Sequence, residues 1–157
     1  MKTTKVLISF LIALAWAGSA QATADKSMLN QKLPELKLDY LNGRPTTAGK
    51  PMIVEFWATW CPPCRTSIPH LNEIYKKHKG EGLVVIGITQ EKRDVITQFL
   101  QKVPMNYSTA LDLNGAFSRQ FAIQGIPHAL LVDKTGKVVW EGHPMALTEK
   151  QIAAVLK

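Results

Sequence analysis

Only two of the 157 residues are cysteine, and both lie in the stretch Cys61-Pro62-Pro63-Cys64. No second pair is present to complete a four-cysteine zinc site. His70, His78, His128 and His143 do not follow the cysteines at zinc-finger spacing, although His70 could approach them from a helix. Haem attachment needs histidine directly after the second cysteine, where Arg65 stands. The pair is also a poor structural staple, because a bond across two residues closes a short loop and disulfide stabilisation grows with loop length. No bound metal and no cofactor beyond the cysteine pair itself are expected. Long hydrophobic runs are equally scarce: nothing after Ala17 approaches the ~20 apolar residues of a membrane-spanning helix. Internal repeats, low-complexity segments and linkers are missing, which leaves one domain. Positive charge is present (net +7) but scattered. Its one cluster, Lys76-Lys77-His78-Lys79, reads as a helix C-terminus, where cations suit the dipole. Nucleic-acid binding is therefore not expected.

What is present begins with a leader. Lys2 and Lys5 form a basic head, Val6 to Ala17 is mostly apolar, and Ala20-Gln21-Ala22 fits the small-x-small cleavage rule. This pattern predicts a signal peptide over residues 1–22, the alternative being an uncleaved anchor, for which the run is short. Cleavage leaves residues 23–157 as a single domain with its own core and a net charge of +5, since only Lys2 and Lys5 are lost. Residues 23–33 are polar and read as loose. An exported chain meets an oxidising compartment, and two adjacent thiols there point to chemistry.

Leu36 to Leu41 alternates before an Asn42-Gly43 turn, and Met52 to Trp57 reads as a strand buried on both faces. Pro62 and Pro63 suit a helix start. Ile68, Leu71, Ile74 and Tyr75 then recur at helical spacing, with Pro69 inside that helix. Leu83–Thr89, Met105–Leu111 and Ala129–Val132 read as strands, and Asp94–Gln101 and Gly115–Phe121 as helices. Asp133–Lys137 reads as a turn into Val138-Val139-Trp140, and Thr148 as the N-cap of a closing amphipathic helix. The alternation predicts an α/β domain with three layers around a mixed sheet.

A strand-to-helix junction suits a reactive pair. The thiolate is the nucleophile, and a helix N-terminus favours it at Cys61 through free N–H groups and the dipole. Cys64, one turn on, can resolve a mixed disulfide. Pro62 and Pro63 carry no N–H, so the Cys64 amide is the main backbone donor left, which favours a more reducing couple. Glu55 is the second oddity, sharing a strand face with Ile53 and Trp57. It is either solvated at an exposed strand end or a buried acid of raised pKa that exchanges the Cys64 proton.

Phe56-Trp57-Ala58-Thr59-Trp60-Cys61-Pro62-Pro63-Cys64 resembles the active-site stretch of the thioredoxin superfamily, and residues 33–157 with the leader resemble its exported TlpA/ResA-type branch. The resemblance implies a thioredoxin-like α/β/α fold with a central mixed β-sheet. It also implies a periplasmic or membrane-tethered thiol:disulfide oxidoreductase. Glu55 falls where thioredoxins carry a buried acid, and Gly125-Ile126-Pro127 resembles their cis-proline loop. The resemblance then gives Ile126 backbone pairing with a substrate chain, and Pro127 and Trp60 shielding roles over the sulfurs. Disulfide-containing proteins would be the substrates, a membrane thiol-electron donor of the DsbD/CcdA type would re-reduce the pair, and the chain would act as a monomer. Apocytochrome c maturation, copper-site assembly and thiol repair are possible client pathways. Two departures stand out: Ser67 replaces a glutamate found in some members, and His128 stands where threonine is common, either tuning the site or facing outward. An oxidase or isomerase of the same fold, and a copper or haem chaperone, remain as alternatives.

Overall fold

Met52–Phe56 (β2) explains the architecture: all five residues are buried, which requires a layer on each side of the strand. The computed structural model describes residues 27–121 and 123–157; the expected leader, residues 1–22, lies outside the described residues. Among the described residues, the other strands and α-helices are β1 (Asp39–Tyr40), α1 (Pro62–His78), β3 (Val84–Thr89), α2 (Arg93–Lys102), β4 (Ser108–Leu111), α3 (Ala116–Gln120), β5 (His128–Val132), β6 (Val138–Gly142) and α4 (Glu149–Leu156). They build one six-stranded sheet in the order β1-β4-β3-β2-β5-β6. β2 pairs parallel with β3, and β3 with β4, while β5 runs antiparallel to β2 and to β6. The sheet is therefore mixed, as expected, and β2 sits at its middle.

Successive strand residues feed two cores, as the period of two requires. Ile53, Trp57, Val85 and Leu131 face one core with Ile68, Leu71 and Ile74 of α1, Ile96 of α2 and Ile152 of α4. Met52, Val54, Phe56, Ile86 and Leu130 face the other, which Phe117 of α3, Phe121 and the early residues Met28, Leu33 and Leu36 complete. Thr148 caps α4 through a capping box with Gln151.

Three expectations differ from the structure. The alternating stretch 36–41 contributes only Asp39–Tyr40 to the sheet. Met105–Leu111 joins it only from Ser108, because Asn72 of α1 takes the backbone before it: its amide donates to the Pro104 carbonyl (2.9 Å) and its oxygen accepts from Asn106 N (2.8 Å). Residues 27–33 are not loose. Asn30 N donates to Val138 O and Leu33 N to Gly136 O, both at 2.8 Å, and Met28 and Leu33 are buried. Two apolar anchors in a polar stretch suffice to dock it.

Gly87 of β3 is the neighbour of Glu55 on β2. A Cβ there would lie 2.8 Å from Met105 Cε and 2.9 Å from Trp57 Nε1. The methionine end can move, but the Trp57 ring is buried and packed on Phe99. Gly87→Ala is therefore expected to lower stability by about 1–3 kcal/mol, as overpacking does, and a denaturant titration reads it as an earlier midpoint.

Candidate active site

The site forms where β2 gives way to α1. Trp57 N donates to Ile88 O, extending the β2–β3 ladder by one residue, and Cys61 N turns back to Ala58 O. Cys61 is the N-cap of α1 in an extended conformation, and Pro62 and Pro63 occupy the first two helical positions. Proline has no N–H to offer, so the first donor of the helix is Cys64 N, 3.2 Å from Cys61 Sγ. The two cysteines form a disulfide with a Cα–Cα distance of 5.3 Å. Cys61 keeps 3 % exposure and Cys64 none, so an incoming thiolate meets Cys61 first.

The loop before β5 closes the other side. The Ile126–Pro127 bond is cis, and the Ile126 carbonyl oxygen lies 3.8 Å from Cys61 Sγ. Two grooves flank this loop. One runs past Trp57, Trp60, Glu91 and Gly125; the other passes Pro63, Pro127, His128, Glu141 and His143. Trp60 is 71 % exposed and stands at the rim of the first groove.

Glu55 is 0 % exposed, which excludes the solvated strand end. In the sheet it lies between Gly87 and Ala129, small neighbours that leave the carboxyl room. Ser67 of α1 donates to Glu55 Oε1 (2.7 Å) and Tyr107 to Oε2 (3.1 Å). Burial pushes the Glu55 pKa up to about 7, against the two hydrogen bonds, which lower it. Tyr107 moves well above the ordinary tyrosine value through burial, then the Glu55 charge and the shared hydrogen bond. Ser67 Oγ also lies 2.8 Å from the Cys64 carbonyl. A hydroxyl carries one hydrogen, so this serine links Glu55 to the Cys64 backbone but can donate to only one of them at a time.

Sequence reasoning misses Tyr107, which 52 residues separate from Glu55; its only signal is an aromatic between the polar Asn106 and Ser108, just ahead of β4. Ser67 shows in the sequence only as a departure. Among the described residues no group of three or more histidine, cysteine, aspartate and glutamate side chains is placed to hold a metal ion. His70 lines a separate surface groove with Glu73 and Glu149.

A family model described as AhpC/TSA matches residues 25–141. The chain belongs to the AhpC/TSA family. Among its relatives, the thiol-disulfide oxidoreductase ResA of Bacillus cereus is 27 % identical over 154 residues, covering 90 % of this chain and 89 % of that one. ResA of Bacillus subtilis is 24 % identical, covering 87 % and 80 %. A crystal structure assigned to a thiol:disulfide interchange protein DsbE from Chlorobium tepidum superposes with a TM-score of 0.76 at 31 % identity, covering 82 % of this chain and 98 % of that one. This AhpC/TSA member is thus a thiol-disulfide oxidoreductase of thioredoxin fold, with its one cysteine pair closed as a disulfide. Disulfide-containing proteins are the substrates such a family implies.

Proposed function

We propose that the chain is an exported reductant of protein disulfides, with Cys61 and Cys64 as the catalytic thiols and Glu55 as the proton acceptor. In the reduced form the Cys61 thiolate attacks one sulfur of a substrate disulfide. A mixed disulfide forms and the other substrate sulfur leaves as a thiolate. Glu55 takes the proton of Cys64, whose thiolate attacks Cys61 Sγ. The substrate's second sulfur leaves, and two electrons have passed to the substrate while Cys61–Cys64 closes. Ile126 would pair with the substrate backbone, and Pro127, Pro62 and Pro63 would frame the sulfurs, with Trp60 at the groove rim.

One observation carries the reducing direction. The Cys61 sulfur receives a helix-start hydrogen bond from Cys64 N, and Pro62 and Pro63 withhold the other two. A weakly stabilised thiolate makes the dithiol a better electron donor. Residues 1–22 support export to the periplasm, with retention as a membrane tether the variant form. In that compartment the pair would be re-reduced by a membrane thiol-electron donor of the DsbD/CcdA type, and no bound cofactor is needed. The domain would work as a monomer, and apocytochrome c maturation is one client pathway compatible with a reductant.

The midpoint potential tests this reading. Equilibration with glutathione or dithiothreitol buffers is expected to give a value near that of thioredoxin, about −270 mV, together with catalysed insulin reduction. A value near that of DsbA, about −120 mV, would make the protein an oxidase.

A further inference from the structure

Thr59 lies between the buried Trp57 and the exposed Trp60, two residues before Cys61. Its backbone N–H donates to Glu91 Oε2 (2.6 Å) and its hydroxyl to Glu91 Oε1 (2.7 Å). One carboxylate from the β3–α2 connection thus takes both donors of a single residue, the short, charge-assisted kind of hydrogen bond. Glu91 is itself held in place. Its N–H donates to Thr89 Oγ1 (3.3 Å), that hydroxyl faces Oε2 at 3.4 Å, and Thr89 is buried at the end of β3. The backbone leaves the sheet after Trp57 N bonds Ile88 O and turns back where Cys61 N bonds Ala58 O. The Thr59 amide falls between those two points, and Glu91 takes it. Among the described residues lining the first groove, Glu91 alone is ionisable, and both of its oxygens are engaged by Thr59.

We propose that Glu91 is a positioning residue for thiol–disulfide exchange. By clamping Thr59 it fixes the turn through residues 58–60, so that Cys61 enters α1 with its sulfur on the Cys64 N–H and against the Ile126 carbonyl. Glutamine at 91 keeps a single acceptor oxygen and thus one of the two bonds; alanine keeps neither. The inference rests on Cys61 being the attacking thiol.

The test is the single-turnover rate of the reduced, full-length protein with bis(2-hydroxyethyl) disulfide. This probe is uncharged, so loss of the Glu91 charge does not steer it. Glu91→Ala is expected to react about tenfold slower or worse, as a small misplacement of a reacting group does, with Glu91→Gln intermediate. Thr59→Val should be slowed, Thr59→Ser should keep the wild-type rate, and the Glu91→Ala/Thr59→Val double variant should be no slower than Glu91→Ala alone. If Glu91→Ala does not fold, Glu91→Gln and Thr59→Val decide. Wild-type rates in folded Glu91 variants, even with a lowered melting temperature, would overturn the proposal, as would losses that multiply in the double variant. Cys61→Ser is run beside them. Residual reaction there would instead remove Cys61 as the attacking thiol, a failure distinct from that of Glu91.

Discussion

Glu55→Gln is expected to give a protein that is both more stable and slower. The carboxyl is buried and its folded-state pKa lies at about 7, above the 4.5 of an unperturbed glutamate. The folded protein therefore holds this proton more tightly than the unfolded chain does. Its contribution to stability is complete below about pH 4.5 and is lost as pH rises through about 7. That difference amounts to roughly 3 kcal/mol. Glutamine mimics the protonated acid: its amide can donate to Ser67 Oγ and its oxygen can accept from Tyr107. At pH 8 Glu55→Gln should therefore unfold at higher denaturant than the wild type by about that margin, while the two converge near pH 4.5. Glutamine accepts no proton, so resolution by Cys64 should fall about 10²-fold at pH 7, the lower range for loss of a general base. The wild-type rate of mixed-disulfide release should rise with pH through about 7, and the variant should show no such step. A variant that keeps the step and the rate would place the base elsewhere.

The second large effect comes from separating the two sulfurs. Cys64→Ser leaves Cys61 able to attack but with no partner to expel the substrate, so covalent complexes should accumulate and turnover should fall to background. Cys61→Ser should form none, because the remaining thiol is fully buried and lies behind the helix N-cap. Non-reducing electrophoresis after incubation with an extract of the source compartment, followed by mass spectrometry, reads the outcome and names the captured proteins. Complexes through Cys64 in the Cys61→Ser protein would reverse the assignment.

Residues 55–69 are legible in the sequence because local rules govern them: an apolar strand, two prolines that start a helix, and two thiols at its N-terminus. The cis Ile126–Pro127 loop is legible only through family resemblance, since nothing local distinguishes that proline from others. The partners of Glu55 and Thr59 are not legible. Tyr107, Ser67 and Glu91 reach them through strand register and helix packing, which set neighbours across 12 to 52 residues of sequence. The docked segment 27–33 escapes for a related reason: composition averages away two buried side chains, and Leu33 becomes an anchor only because Phe121 and Val138 supply a core for it. Trp60, the aromatic beside the reactive pair, stands largely in solvent, which composition does not foretell.

The docking of residues 27–33 also decides where the start of the domain lies relative to the disulfide. Ser27 hydrogen-bonds Glu141 and shares its groove with Pro63, Pro127 and His128. Anything joined ahead of Ser27 is thus attached on the side of the molecule that carries the disulfide.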